Sequence, residues 1–286
     1  ITERLVGSEM CIRDSIIVHN PSEQKNLRCH YHGRKFNLDG KFKSMPDFEE
    51  AKNFPRDCEN LKSCPVSRLG PFLFTSLEPE FNIKKIFDEI ANRLSFFKFE
   101  KLVERPDLTS EHIVKANWAI YCENYLDPFH IPFVHKELTS VLDLNHYKTE
   151  IYDNYNLQIG YSKDDEDSFK IPEGNKDFGK KISAYYYWLF PNLMLNFYPW
   201  GLSINVITPI NKNRTKVSFI QFMLDESKYD LGAGGLIDKV EREDEFVVEE
   251  VSKGLESRYY STGRFSPTKE TAIHHFHSLI AKFINS

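Results

Sequence analysis

A segment near the middle of the chain, ENYLDPFHIPFVH, contains residue types that bind metal ions. His130 and His135 could supply two imidazoles, and Asn124 and Asp127 lie just before them. On a regular helix, residues five positions apart point about 140° away from each other, so the two rings could not share a ligand. Pro132 lies between them, and a kink there could bring both rings to one point. The alternative is a pair of packed, hydrogen-bonded core histidines.

A second segment, LIDKVEREDEFVVEEVSKGL, predicts a helix with a carboxylate that could complete the set. Its apolar residues recur at helical spacing and form one stripe: Leu236, Ile237, Val240, Val247, Val248, Val251 and Leu255. Asp244 falls in the middle of this stripe, Glu243 lies at its rim, and Glu245 and Glu249 lie on the opposite face. A core-facing carboxylate is costly unless it is paired or bound to a metal. With the two histidines, Asp244 would form the facial triad that binds Fe(II) and leaves positions open for oxygen and substrate.

The run LRCHYHGRKF offers a further pair of ligands. Cys29 and His32 are spaced Cys-x-x-His, and Gly33 would allow a tight turn close to a metal. A tetrahedral or cluster site needs four protein ligands, so the pair alone does not define a site. A structural zinc site that also uses Cys58 and Cys64 is an alternative, although the spacing is irregular.

Composition and charge limit the classes of protein to consider. The 286 residues are 41% hydrophobic and 28% charged, which is typical of a globular protein with about two domains. A net charge of −5 gives no reason to expect nucleic acid or an anionic membrane as a partner. No apolar run approaches the roughly 20 residues of a membrane span. Five scattered cysteines and no signal-peptide pattern predict a reducing, cytoplasmic location.

The elements around these residues predict an α+β protein. Short strands with turn signals cover residues 16 to about 80, and a helix with apolar residues at helical spacing follows from Ile83. Antiparallel strands are predicted over residues 143–161 and 181–224. Two closing helices are predicted over residues 236–256 and 267–283. We therefore expect one domain over residues 16–90 and a second over residues 91–286.

Three motifs resemble those of the oxygenase α subunit of the Rieske non-haem iron oxygenases, the ring-hydroxylating type. CHYHGRKFNLDGKFKSMP resembles the second half of that family's cluster motif, and NWAIYCENYLDPFHIPFVH resembles its iron-binding helix. YYSTGRFSPTKETAIHHFH resembles the C-terminal segment of the choline- and carnitine-type branch. The resemblance implies a partial antiparallel Rieske domain over residues 16–90, followed by a helix-grip catalytic domain over residues 91–286.

The resemblance also implies how electrons and oxygen are handled. Cys29 and His32 would bind a [2Fe–2S] Rieske cluster, whose mixed ligands raise its potential above that of an all-cysteine cluster. Electrons from NADH would arrive through a separate ferredoxin or flavin reductase component. O2 would then be used to hydroxylate a small organic substrate.

The mononuclear iron site is implied in the same way. His130, His135 and Asp244 would bind Fe(II), and Asn124 would line the site. Asp127 would be the bridging carboxylate that links His130 to a cluster histidine of the neighbouring subunit. Transfer between subunits implies a ring-like homotrimer.

The family's first cluster ligand pair, Cys-x-His-Arg-Gly, is missing upstream of Cys29. The chain reads VGSEMCIRDS there, and Cys11 is followed two positions later by Arg13. This stretch resembles read-through of adaptor-derived DNA in translated assemblies. We therefore expect residues 1–15 to be non-native, the native protein to be longer at its N-terminus, and the present chain to lack a normal cluster and be inactive.

Aromatic residues suggest a substrate class. Six of them could supply an aromatic cage for a quaternary ammonium group: Tyr185, Tyr186, Tyr187, Trp188, Tyr198 and Trp200. On alternating strands, about half of these side chains must face away from any cavity. A hydrophobic-ligand carrier with a helix-grip fold is the alternative function, since a carrier needs the cavity but not the triad.

Two patterns are interpreted as structural. Gly232 and Gly234 begin a dinucleotide-like glycine motif, but no βαβ unit surrounds them, so a loop leading into a helix is expected. His274, His275 and His277 are expected at the rim of the last helix.

Overall fold

The computed structural model of the protein describes residues 16–18, 20, 22–163 and 166–285. The hypothesis that residues 1–15 are non-native therefore lies outside the described residues. Contacts divide the chain into two compact units, Ile1–Asn92 and Arg93–Ser286. This division falls two residues after the domain boundary expected from the sequence.

The first unit contains two small antiparallel sheets and a helix. Its elements are β1 (Leu27–Arg28), β2 (Lys35–Phe36), β3 (Phe42–Ser44), β4 (Val66–Leu69), β5 (Phe72–Thr75) and α1 (Ile83–Arg93). One sheet has the order β1-β2-β3, and the other pairs β4 with β5. Gly40 in the turn between β2 and β3 has φ +84°, which glycine adopts without a steric penalty. The short strands with turns expected in this region are thus found.

The second unit is one antiparallel sheet with helices. Its strands are β6 (Val103–Glu104), β7 (Ser110–Val114), β8 (Lys148–Ile151), β9 (Tyr155–Tyr161), β10 (Ile182–Leu189), β11 (Leu193–Tyr198), β12 (Gly201–Asn211) and β13 (Arg214–Met223). Its helices are α2 (Trp118–Leu126), α3 (Ile131–Val134), α4 (Lys136–Val141), α5 (Ile237–Leu255) and α6 (Thr271–Ile284). The strand order is β6-β13-β12-β11-β10-β9-β8, and β7 also pairs with β13.

The helices cover one face of this sheet. On α6, the residues Ala272, Ile273, Phe276 and Leu279 are buried, which is the spacing of one helical face. They join Trp188 and other sheet residues in one core, together with residues from α2 and α5. α3, α4 and the start of α5 pack on Trp200 and its neighbours in a second cluster.

The opposite face of the sheet is also covered within the second unit. Phe97 packs edge-on against Phe197 at a ring-centroid distance of 5.2 Å, and Phe169 lies 5.4 Å from Tyr185. β10 and β11 are therefore buried on both faces, which explains why their sequences are almost continuously apolar or aromatic. The predicted α+β class, with helices gripping an antiparallel sheet, is confirmed. No helix in the described part of the chain is both long and apolar enough to cross a membrane.

Candidate metal centre

The segment after α2 places two histidines at the ends of a single helical turn. Asn117 caps the start of α2 by accepting a hydrogen bond from the Ala119 amide at 3.0 Å, and Asp127 ends the helix. His130 precedes α3, and His135 lies between α3 and α4 with φ −103° and ψ 76°. These breaks in the helix let the two Nε2 atoms approach to 3.0 Å.

The expected kink at Pro132 is not what brings the rings together. Pro132 lies in the first turn of α3, where its missing N–H leaves no hydrogen bond unmade. Asp127 at the end of α2 and His135 after α3 have non-helical backbone angles and redirect the chain instead. The convergence predicted from the sequence is found, but by a different local mechanism.

α5 supplies the third converging side chain. Asp244 Oδ1 lies 3.0 Å from His135 Nε2 and 3.3 Å from His130 Nε2. One ligand atom from each of the three residues lies within 4.8 Å of the others, and the described residues contain no other such group of three. Three electron-pair donors facing one point repel one another unless a cation lies between them. The donor set therefore fits a metal with two imidazoles and one carboxylate.

The pKa values of these groups also show that the site favours a positive charge. Burial alone would lower the pKa of His130, but the carboxylates of Asp127 and Asp244 raise this pKa to about 9. The pKa of His135 is likewise raised by Asp244 and Glu243 against the effect of burial. Burial opposes ionisation of Asp244, yet hydrogen bonds to both rings lower its pKa to about 2. Both carboxylates and rings thus favour a positive charge between them.

Two neighbouring side chains hydrogen-bond to the ligands, and a third lies close to one of them. Asn124 Nδ2 donates to Asp244 Oδ1 at 2.6 Å, and Glu243 Oε2 accepts from His135 Nδ1 at 2.7 Å. Asp127 Oδ2 lies 3.5 Å from His130 Nδ1. Metal-bound histidines commonly make such second contacts, which fix the ring orientation. Asn124 and Asp127 were predicted near the site, whereas Glu243 was predicted only at the rim of the helix stripe.

The helix differs from the prediction on its polar face and at its C-terminal end. Glu245 lies 2.7 Å from His112, and Glu249 accepts from the Lys115 amide, so both face β7 rather than solvent. Val251 and Leu255 are exposed. The stripe is rotated because α5 packs between α2 and β7, and polar side chains satisfy exposed strand groups there.

Cys29 and His32 flank a tight turn that follows β1. The Gly33 amide donates to the Cys29 carbonyl at 3.1 Å, and Gly33 has φ +76°, as a glycine there was expected to allow. Cys29 is buried and His32 is exposed. Among the described residues, these two are half of the four ligands that a Rieske cluster needs. The described chain does not fit a complete cluster, and no step is derived through one.

A cavity inside the second unit extends from the three ligands. Its empty space totals about 790 Å³, part of which is open to solvent. Its polar lining includes Gln158, Asn196 and Asn205, and its apolar lining includes Ile131 and Leu138.

Sequence reasoning missed one acidic residue of this cavity. Glu241 lines the cavity together with Asp244. The signal was available, because residues three apart on a helix share a face.

The aromatic run divides as strand alternation requires. Tyr186 and Tyr198 line the cavity, whereas Tyr185 lies on the other face, where its hydroxyl donates to Asp177 at 3.1 Å. Trp188 and Trp200 are fully buried in the core. Only two of the six proposed cage residues are therefore available to a ligand.

The patterns interpreted as structural also have specific roles. A Cβ at Gly234 would lie 2.1 Å from Trp200 Nε1, so this glycine allows close packing. His275 Nδ1 lies 2.9 Å from Asn156 Oδ1, and His277 pairs with Glu123. Neither histidine belongs to a group of three possible metal ligands in the described chain.

Comparison with known proteins defines the family. The family described as "Ring hydroxylating alpha subunit (catalytic domain)" matches residues 99–286, about two thirds of the chain. The chain belongs to the ring-hydroxylating α-subunit family. The description "Rieske [2Fe-2S] domain" matches residues 6–55, so the predicted order of the two domains in the sequence is confirmed. That match includes part of the stretch expected to be non-native, and this expectation stays a prediction.

Curated relatives agree with this membership, and a solved structure shares the fold. The chain is 30% identical to the chloroplastic choline monooxygenase of Arabidopsis thaliana, over 93% of this chain and 65% of that protein. It is 29% identical to the carnitine monooxygenase oxygenase subunit of Escherichia coli K12, over 90% and 71%. The structure of a quaternary ammonium Rieske monooxygenase matches with a TM-score of 0.69 and 20% identity, over 92% and 73%. The chain thus spans just under two thirds of the Arabidopsis relative's length.

Proposed function

We propose that the protein is the terminal oxygenase component of a system that hydroxylates a small organic substrate with O2. The observation that carries this proposal is the convergence of His130, His135 and Asp244 beside the cavity. A carrier of hydrophobic ligands would need the cavity but would have no use for three buried ligand atoms facing one point.

Each side chain has a defined task in this proposal. His130, His135 and Asp244 would hold Fe(II), which when bound supplies the activation of O2 for oxygen insertion. Asn124 holds the Asp244 carboxylate in place through its side-chain amide, and Glu243 fixes the orientation of the His135 ring. Asp127 lies beside His130 and is proposed as the bridging carboxylate towards a neighbouring subunit of a homotrimer.

The electrons are proposed to come from NADH through a separate ferredoxin or flavin reductase component. Insertion of one oxygen atom consumes one O2, two electrons and two protons, and it yields the hydroxylated product and water. Cys29 and His32 would contribute to the cluster of the intact protein, and the present chain is predicted to be inactive without the other two ligands.

The substrate is proposed to be a quaternary ammonium compound. The relatives named above are choline and carnitine monooxygenases, and five tyrosines line the cavity here: Tyr121, Tyr125, Tyr147, Tyr186 and Tyr198. The negative faces of aromatic rings attract cations, including those that carry no hydrogen-bond donor.

Iron binding tests the proposal without requiring turnover. The chain is reconstituted anaerobically with Fe(II), its iron content is measured, and the nitric oxide adduct is recorded by electron paramagnetic resonance. Wild type should bind one iron per chain, and Asp244→Ala should lose it. His146→Ala, which removes an exposed histidine, is the matched control and should keep its iron. Iron retained by Asp244→Ala would favour the carrier instead. The carrier would also be favoured if wild type bound no iron and Asp244→Ala were more stable than wild type.

A further inference from the structure

Glu241 is a carboxylate that the triad does not use. It is half-buried on α5, three residues before Asp244, and it lines the cavity. Within the described chain it makes neither a hydrogen bond nor a salt bridge, although its neighbours Asp238 to Glu245 include several charged residues. A carboxylate partly removed from water without a partner is costly. Such a residue calls for a ligand that compensates its charge.

The cavity residues around Glu241 do not supply that compensation. No lysine or arginine is among the described residues that line the cavity. The Tyr125 hydroxyl donates to Asn196 Oδ1 at 2.7 Å, and the Tyr147 hydroxyl donates to Gln158 Oε1 at 3.4 Å. Burial, with the charges of Asp238, Asp244 and Glu245, raises the pKa of Glu241 well above its usual range. A nearby positive charge would reverse this effect.

A count of formal charges gives the charge of the missing partner. Asp127, Glu241 and Asp244 are the carboxylates that line the cavity, and they carry three negative charges when ionised. A ferrous ion at the triad would offset two of these charges. One negative charge then remains. We assign it to Glu241, because Asp244 is a ligand and Asp127 lies beside the ligand His130.

We propose that the cavity selects an organic monocation that has no carboxylate of its own, and that Glu241 is the counter-charge that recognises it. This inference rests on the proposed function and deepens it. It divides the quaternary ammonium compounds into two groups. A choline-like monocation would balance the charge and place its methyl groups against Tyr186 and Tyr198. A carnitine-like or betaine-like zwitterion would bring a second carboxylate into a cavity without a cationic side chain to receive it.

A neutral substrate is disfavoured by the same reasoning. An arene would displace water from Glu241 without providing a hydrogen bond or a charge, so the carboxylate would lose solvation and gain nothing. Specificity of this kind comes from the unfavourable contact as much as from the favourable one.

Equilibrium binding separates these possibilities. Isothermal titration calorimetry is performed on the full 286-residue chain, with and without Fe(II), using choline, L-carnitine and the neutral isostere of choline in which carbon replaces nitrogen. Wild type should bind choline at least tenfold more tightly than either other compound. Glu241→Gln should weaken choline binding by roughly 10- to 100-fold, because one charge in a half-buried site is lost, and should leave the neutral isostere unchanged or improved.

Two further variants control for folding and for general charge. Glu241→Asp keeps the charge and should retain most of the preference for choline. Glu250→Gln makes the same change at an exposed position of α5 and should bind like wild type. Circular dichroism confirms that each variant is folded.

Unaltered choline affinity in folded Glu241→Gln, absent choline binding, or carnitine binding as tight as choline binding would each overturn the inference. The iron content of the same samples reports separately on the proposed function. Iron without choline discrimination refutes the inference alone, whereas Glu241-dependent choline binding without iron refutes the oxygenase alone.

Discussion

Gly234 allows a sharp test of how the wall of the cavity is packed. A Cβ at this position would lie 2.1 Å from Trp200 Nε1 and 2.7 Å from Trp200 Cδ1. The indole cannot move away easily, because it stacks on Tyr198 at 5.3 Å and meets the edge of Tyr229 at 5.1 Å. We expect Gly234→Ala to lower the free energy of unfolding by about 3 kcal/mol, the upper end of the usual range for overpacking.

Gly254 provides the matched control with the opposite sign. It lies near the end of α5, and a Cβ there would meet no atom within 4 Å. The same substitution should therefore raise the free energy of unfolding by about 0.5 kcal/mol, since alanine loses less backbone entropy in a helix. Urea unfolding followed by circular dichroism measures both changes.

A double variant identifies the cause of the Gly234 effect. Trp200 Nε1 is buried without a hydrogen-bond partner, so Trp200→Phe removes the clashing atom without breaking a hydrogen bond. Gly234→Ala combined with Trp200→Phe should be less destabilised than the sum of the single variants. The packing argument is refuted if the changes in unfolding free energy are strictly additive. It is also refuted if the unfolding free energy of Gly234→Ala lies within about 0.5 kcal/mol of wild type, the usual error of such measurements.

Further predictions concern the metal ligands and the acid limit of stability. Glu243→Ala should reduce iron affinity by roughly 10- to 100-fold, measured by competition with a chelator, because His135 loses the acceptor of its Nδ1 proton; Glu250→Ala should not. Burial opposes ionisation of Glu150, but Arg93, Lys148 and Tyr152 lower its pKa from 4.5 to about 2, so its ionised form contributes about 3 kcal/mol at neutral pH. Because the pKa is depressed in the folded state, this contribution is complete above about pH 4.5 and is lost as the pH falls towards 2. The difference in unfolding free energy between wild type and Glu150→Gln should shrink over that pH interval, and a constant difference would contradict the assignment.

The triad was accessible to sequence reasoning because its residues break local rules. Asp244 is a carboxylate within an apolar helical stripe, and two histidines flank prolines where a regular helix cannot continue. Such conflicts between pattern and residue type mark functional positions. The same argument could not show which backbone break unites the rings, since that depends on φ and ψ at His135 rather than on spacing.

The contacts of α5 with other elements were beyond reach of the sequence. Helical periodicity placed Glu245 and Glu249 opposite the core, but β7 packs there. His112 of β7 and the amide of Lys115, just after β7, are their partners. The spacing of Glu241 places it on the same helix face as Asp244, but the sequence could not show that this face lines a cavity. Its role depends on a cavity whose other walls come from strands distant in sequence, and those strands become neighbours only in the folded sheet.

The arrangement of α5 links its chemistry to its length. Glu241, Glu243 and Asp244 lie within little more than one helical turn, although each faces a different part of the centre. One residue inserted or deleted between Ile237 and Glu241 would rotate all three by about 100° relative to the start of the helix. Charge recognition, ring orientation and ligation would then fail in a single event, whereas changes after Leu255 would leave them intact. We therefore expect insertions and deletions among relatives after the end of this helix and not in its first turn.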